Sequence, residues 1–398
     1  MKNVYVLDYC RTPIGSMMGS FSNLSAVELG VAAVKKLMDR VEAKSPKISR
    51  KQVERVYFGN VLQSGLGQNV ARQVALNAGL NEAVAVTINV VCGSGMESIH
   101  QGYNAILLGE ADIVLVGGTE SMSNAPYLNQ QLRKGNKYGH VSMLDSVLCD
   151  GLTDAFSGKH MGELTEEVNL KYGITREMQD NYAKMSYTRA RNASATGKLQ
   201  NEIVDVEVKD GKNIRIVNTD EETNKVPDLN KLTQLKPVFN NMSGTITAGN
   251  ASKLNDGACA MLLVSQKFID QMSVQPIAHI LGFDMTVGTP NEFSRVPITS
   301  VKKLANRMLF NLDQIDLFEV NEAFSSIPIM FHQECGIDLD KVNIYGGAVS
   351  LGHPIGCSGA RIVGTLLTSL RNEGKRYGCA SICNGGGGAI SIMIEMID

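Results

Sequence analysis

The feature that most narrows what this chain can fold into is a pattern that it carries twice. An apolar, β-branched run at residues 84–91 leads into Cys92-Gly93-Ser94-Gly95. Met96, Ile99, Tyr103, Ile106 and Leu107 then recur at helical spacing, and a second apolar run at 113–116 ends in Gly117-Gly118. Far down the chain the order returns. A strand-like run at 342–345 precedes Gly356-Cys357-Ser358-Gly359, which opens a helical stretch at 360–370; a short apolar run at 380–382 and the cluster Gly385-Gly386-Gly387-Gly388 follow. Small residues at strand-to-helix turns recur by chance in any α/β chain. The common order of turn, helix, strand and glycine cluster still reads as one α/β unit used twice. A strand–helix–strand succession implies parallel sheets with right-handed crossovers. The run at 84–91 reads as a strand buried on both faces.

Length agrees with two units. A single hydrophobic core stops growing at about 250–300 residues, and this chain has 398. Further elements read from periodicity are a helix at 26–41, a strand at 53–57 and a strand at 316–320. Between the two units, residues 123–250 are polar and charge-rich, with a helical pattern at 178–195. That segment reads as a large insertion, and insertions borne on a rigid sheet commonly carry substrate contacts.

Charge narrows the partners. The formal net charge is -2, which gives no broad basic field for nucleic acid or an anionic membrane. No run approaches the roughly 18–20 apolar residues that span a bilayer. Val4, Tyr5, Val6 and Leu7 already read as a strand, so no export leader is expected and a cytoplasmic location is. The eight cysteines are then expected as free thiols, with no zinc-knuckle spacing, so neither a disulfide framework nor a metal site is expected.

Four clusters could carry chemistry. Cys92 ends a strand and opens a helix, where the helix dipole and free N–H groups are expected to favour a thiolate. An isolated cysteine is more often a buried apolar residue, but flanking glycines let a substrate approach this one. His353 lies in Gly352-His353-Pro354, one of six histidines and held in a turn. Cys383 precedes Asn384 and the glycine cluster; a second thiol there could act as acid or base, and glycine N–H groups could form an oxyanion hole. A phosphate loop is the alternative for those glycines, yet no Lys-Ser/Thr or GxGxxG spacing supports it. Asn321 begins Asn321-Glu322-Ala323-Phe324 at the end of an apolar run, where a polar side chain could orient water.

Taken in order, these residues resemble the thiolase family, and within it the biosynthetic acetyl-CoA acetyltransferases. The resemblance runs nearly end to end. It includes Arg11-Thr12-Pro13-Ile14-Gly15, Gly118-Thr119-Glu120-Ser121-Met122, Asp150-Gly151-Leu152, His160-Met161-Gly162, Thr247-Ala248-Gly249-Asn250-Ala251-Ser252 and Asn255-Asp256-Gly257 besides the four clusters. It implies a five-layered αβαβα fold of two duplicated halves: residues 1–122 with 251–274, and residues 275–398, with 123–250 as an inserted, CoA-binding loop domain. It implies a reversible Claisen condensation of two acetyl-CoA through an acetyl-Cys92 intermediate, with a degradative 3-ketoacyl-CoA thiolase of broader chain length as the alternative. A condensing β-ketoacyl synthase and a non-catalytic CoA-binding protein fit less well, because Cys383 is present and the catalytic set is complete. The implied catalytic residues are Cys92, His353, Cys383 and Asn321, and the implied oxyanion contacts are the N–H groups of Cys92 and Gly385 together with His353 and Asn321. Leu152, His160, Met161, Lys225, Phe239, Ala248, Ser252, Ala323 and Phe324 are the implied CoA contacts. The resemblance further implies acyl-CoA substrates, no separate cofactor and a homotetramer. Lys253 departs from the family pattern, which usually has glycine after the serine. If the Cα atoms of Cys92 and Cys383 lie within about 7 Å, a disulfide between them is geometrically open to the chain and would silence the enzyme.

Overall fold

The computed structural model describes residues 3–225, 228–239 and 243–397. The first unit runs β1 (Val4–Arg11), β2 (Gly15–Ser16), α1 (Ala26–Lys44), β3 (Arg55–Gly59), α2 (Val70–Asn77), β4 (Val84–Ile88), α3 (Ser94–Leu108) and β5 (Ile113–Ser121). An excursion follows, with β6 (Tyr127–Leu128), β7 (Leu144–Asp145), α4 (Met161–Tyr172), α5 (Arg176–Ala195), β8 (Val206–Asp210) and β9 (Asn213–Val217). The chain then returns through β10 (Asn255–Ser265) and α6 (Gln266–Met272). The second unit is β11 (Ala278–Val287), α7 (Val296–Arg307), β12 (Leu317–Val320), α8 (Ser326–Cys335), α9 (Ala348–Leu351), α10 (Ile355–Asn372), β13 (Tyr377–Asn384) and β14 (Gly388–Met396).

The strand order shows the duplication. In the first unit it is β4-β3-β5-β10-β1; in the second it is β12-β13-β14-β11, with Val342 bridging the outer side of β12 in parallel. The hydrogen-bonding sense matches position by position. β3 pairs in parallel with β4 and β5, and β12 pairs in parallel with β13; β10 and β14 are antiparallel to both of their neighbours. The two units join where β1 meets β11, at Tyr5 with His279 and Val6 with Ala278. The parallel sheet expected from the element order is therefore a mixed sheet. The antiparallel strands arrive after the excursion or as the final strand, so a local strand–helix–strand reading cannot place them.

Helices α3 and α10 lie between the two sheet halves, and one core cluster gathers their apolar side chains with those of β1, β5, β10, β11, β13 and β14. Helices α1 and α2 cover the outer face of the first unit, and α7 and α8 cover that of the second. This gives the five layers. Helix α10 is buried from Ile355 to Leu370, and its polar side chains Ser358, Thr365 and Thr368 lie inside with the rest, bonded to His353 and Glu202. Helix α1, on the outside, is amphipathic and starts at a capping box between Ser25 and Glu28.

The central helices touch backbone to backbone. A Cβ at Gly359 would lie 2.4 Å from the Met96 nitrogen, and one at Gly95 would lie 2.7 Å from the Ala360 nitrogen. The glycines of the two repeated turns thus face each other, and the crossing brings the N-terminal ends of α3 and α10 together.

Two strand readings change. The run at 84–91 contributes only β4, and Val84 and Val86 are exposed, because β4 is the outermost strand of its unit and α2 packs only on its other face, at Ala85. The run at 342–345 makes a single bridge at Val342, and Asn343 turns left-handed with φ +51°. No described helix is long and apolar enough to cross a membrane.

Candidate active site

Cys92 sits between β4 and α3 on a turn with one strained residue. Val91 has φ +49°, a conformation that a β-branched side chain adopts only where the surroundings impose it. Ser94 imposes it: its hydroxyl donates to the Val91 carbonyl at 2.6 Å and accepts from the Val90 N–H at 2.9 Å. The backbone N–H groups of Cys92 itself and of Gly385 lie beside the Cys92 sulfur and favour its charged form. Those N–H groups and the helix end favour a thiolate, as the sequence suggests. Burial outweighs them and pushes the thiol up to about 12, so the resting sulfur is protonated.

Cys383 is buried at the end of β13, and a negative charge on Cys92 raises its pKa, which places the two sulfurs beside one another. Burial is the larger cause of that rise. Both thiols are free. Beyond Cys383 the chain turns through Gly386 and Gly387, each with φ +84°, so that Gly385 can face Cys92.

His353 is held from three sides. Its N–H donates to Asn255 Oδ1 at 2.9 Å, and Gly352 before it has φ +110° with no room for a Cβ against Asn255. Ser358 Oγ donates its only hydrogen to the Pro354 carbonyl, so it must accept from Nδ1, which lies 2.5 Å away. The proton on Nδ1 leaves the Nε2 lone pair free, and Asn321 Nδ2 points at it from 3.4 Å. Burial, with Arg361 adding to it, lowers the imidazole pKa to about 3. His353 is thus a neutral base with its open nitrogen inward. Asn321 is tied to β13 through its N–H to the Ser381 carbonyl, and its Oδ1 is buried without a protein partner among the described residues.

The expected CoA-contact residues fall into three groups. Leu152 packs with Cys92 and Ile355 in one small cluster. Met161, Phe239, Ala323 and Phe324 share a cluster with Cys383. His160 caps α4, accepting from the Gly162 N–H at 3.0 Å, and stacks on Phe239 at 4.7 Å between ring centres. Ser252 is joined to that group through its N–H to the Ala323 carbonyl. Ala248 is exposed at the tip of the preceding turn. Lys225 stands apart: it is exposed, with its ammonium 3.3 Å from Glu221 and 3.9 Å from Glu222.

Several residues that shape the site carry no role in the sequence reading. Glu120, fully buried, accepts from Val61, Leu62 and Gly356 N–H groups and from Asn60, and so ties the start of α10 to the first unit. Burial raises its carboxyl to about 7. Glu322 accepts from Tyr182, Ser186, Asn343 and the Val349 N–H. Glu322 and Ser358 each sit beside a residue singled out on sequence, and Asn255 opens the quoted Asn255-Asp256-Gly257; those positions were the available signal.

A family model for the thiolase N-terminal domain matches residues 4–267, and one for the thiolase C-terminal domain matches residues 274–396. An acetyl-CoA acetyltransferase of Saccharomyces cerevisiae is 46% identical over all of both chains. An acetyl-CoA acetyltransferase of Gibberella zeae described as cytosolic is 43% identical, over 98% of each chain. Among solved structures, an Ascaris suum thiolase in complex with coenzyme A superimposes with a TM-score of 0.93 at 39% identity, over the full length of both. With both family domains matched in order over nearly its whole length, and with the duplicated fold that they share, the chain belongs to the thiolase family.

Proposed function

We propose that this thiolase-family acyltransferase is an acetyl-CoA C-acetyltransferase, which joins two acetyl-CoA reversibly into acetoacetyl-CoA and CoA by a ping-pong route. The observations that support the reading are the adjacency of the Cys92 and Cys383 sulfurs, the first beside two N–H donors, the pairing of Asn321 with His353, and the packing of Ile355, two residues beyond His353, with Cys92.

In the first half-reaction the Cys92 proton passes to His353 Nε2 as the sulfur attacks the acetyl carbonyl. The N–H groups of Cys92 and Gly385 take the oxyanion. The departing CoA sulfur takes the Cys383 proton, which leaves a thiolate at Cys383 and an imidazolium at His353. In the second, Cys383 removes a methyl proton from another acetyl-CoA. The imidazolium and a water held by Asn321 Oδ1 stabilise the enolate oxygen. The carbanion attacks acetyl-Cys92, the C–S bond breaks, and Cys92 recovers its proton from His353. All three groups return to their starting states, and thiolysis is the same path reversed. The proposed chemistry uses no cofactor.

Leu152, His160, Met161, Phe239, Ala248, Ser252, Ala323 and Phe324 are assigned to the CoA channel, and Lys225 to its outer end. Residues 123–250 are assigned as the segment that holds CoA. A homotetramer is the proposed assembly, supported by exposed Val84 and Val86 on the outermost strand β4. The cytoplasm is the proposed location, in line with the cytosolic description of the Gibberella zeae relative. Condensation and thiolysis rates over acyl-CoAs of increasing length test the reading. Acetyl-CoA and acetoacetyl-CoA are expected to give the highest kcat/KM. A maximum at long-chain 3-ketoacyl-CoA would replace the proposal with a degradative thiolase.

A further inference from the structure

Lys253 follows Ser252 on the turn at residues 248–252, yet its side chain runs into the protein. Its Nζ donates to the Ala251 carbonyl at 2.8 Å and lies 5.8 Å from the centre of the Tyr187 ring, within reach of the ring's negative face. Tyr187 on α5 is fully buried, and its hydroxyl has no partner among the described residues. Burial lowers the ammonium pKa to about 8, while Glu222 and Glu322 oppose that drop. An ammonium this withdrawn from water is costly, and it persists only with a counter-charge and a firm acceptor.

Those two carboxylates hold the two ends of the segment that bears His353. Glu322 takes the Val349 N–H at 3.0 Å, and it lies so close to Gly347 that a Cβ there would be 2.3 Å from its carboxyl carbon. Glu222 takes Asn255 Nδ2 at 3.3 Å, and Asn255 Oδ1 takes the His353 N–H. On its other side Lys253 holds the turn that continues into Ser252 and, through the Ser252 N–H, Ala323.

We infer that Lys253 is a positioning residue: its ammonium holds the 248–252 turn through the Ala251 carbonyl and is the through-space counter-charge for Glu222 and Glu322, the two carboxylates that hold the His353 segment. It touches no reacting atom. The inference rests on the assignment of His353 as base. A chain with glycine at this position lacks this counter-charge and has to hold the same turn by other means.

The test uses the full-length enzyme and three variants. Lys253→Met keeps bulk without charge, Lys253→Gly removes the side chain, and Lys253→Arg keeps the charge. Acetoacetyl-CoA thiolysis is measured in methylammonium and in sodium salt of equal ionic strength. The Met and Gly variants are expected to lose about tenfold in kcat, the size of effect that a small misplacement of a catalytic group produces. Methylammonium, but not sodium, is expected to restore the Gly variant, and Arg is expected to keep most of the activity. Wild-type kcat and KM in the Met variant would overturn the inference. So would a loss in the Gly variant that methylammonium leaves unchanged, which would mark a packing role. If Met and Gly do not accumulate as folded protein, the Arg variant decides: activity within about threefold of wild type upholds the inference, and a larger loss overturns it. His353→Ala is measured alongside. Activity retained there removes the base assignment, whereas a dead His353→Ala with unimpaired Lys253 variants removes only the inference.

Discussion

The two repeated turns, Cys92-Gly93-Ser94-Gly95 and Gly356-Cys357-Ser358-Gly359, occupy matching places in the two units and do different work. In both, the second glycine meets the partner helix and the serine binds a backbone carbonyl just upstream. In the first turn the serine braces Val91, and the sulfur next to it faces Gly385 across the divide. In the second, the serine braces an imidazole, and Cys357 is sealed inside α10 with its thiol pushed up to about 12. Duplication supplied two equal frames. Under the proposed function one carries the nucleophile and the other braces the group that receives its proton, so neither unit holds a complete site alone.

That contrast can be broken most directly at its cysteines. Cys92→Ala is expected to abolish both turnover and the protein-bound label from radiolabelled acetyl-CoA. Cys357→Ala is expected to keep both, at about 1 kcal/mol of stability for a small buried truncation, read from the denaturation midpoint. Label persisting on Cys92→Ala would sink the assignment of roles to the two turns. Next comes Asn321→Ala, expected to slow turnover by about 10²–10³, as removal of one oxyanion-type contact does, while acetyl labelling survives. Smaller again is Ser358→Ala, which leaves Nδ1 without its acceptor and lets the wrong tautomer form. A drop of about tenfold in kcat with KM for acetyl-CoA unchanged is expected, less than the loss when a charged partner is removed from a catalytic histidine. Equal kcat in Ser358→Ala and wild type would make the second serine a helix brace only.

The mildest effect concerns acid. Burial lowers the His353 pKa from an ordinary 6.5 to about 3. Below about 6.5 the unfolded chain takes up a proton that the native chain refuses, so stability falls as pH falls through that window. Melting temperature measured from pH 7 to 4 is expected to decline less steeply in His353→Asn than in wild type. Parallel curves would show that the histidine titrates alike in both states.

Much of this was legible in the sequence because the site is made where small residues cluster. Cys92 and His353 each adjoin a glycine and Cys383 lies two residues before a run of four, and glycines near a reactive group mark places where backbone must pass close by. The duplicated order marked two like units, and the resemblance implied their five layers. What was hidden depends on partners that arrive from far along the chain. The antiparallel strands β10 and β14, the uncovered face of β4 and the bonds from Glu322 and Asn255 to the His353 segment are of this kind. The direction of the Cys92 shift was hidden for the same reason. The helix end is visible in the sequence, but the extent of burial that outweighs it is a property of the packed molecule.

The crossing of α3 and α10 at Gly95 and Gly359 has one further consequence. With bare main chain against main chain, there are no side chains to change rotamer and let one helix slip along the other. The seam acts as a fixed axle, and whatever breathing admits a long thioester into the cavity falls to the peripheral segment, leaving the frame that aligns sulfur and imidazole undisturbed from one turnover to the next.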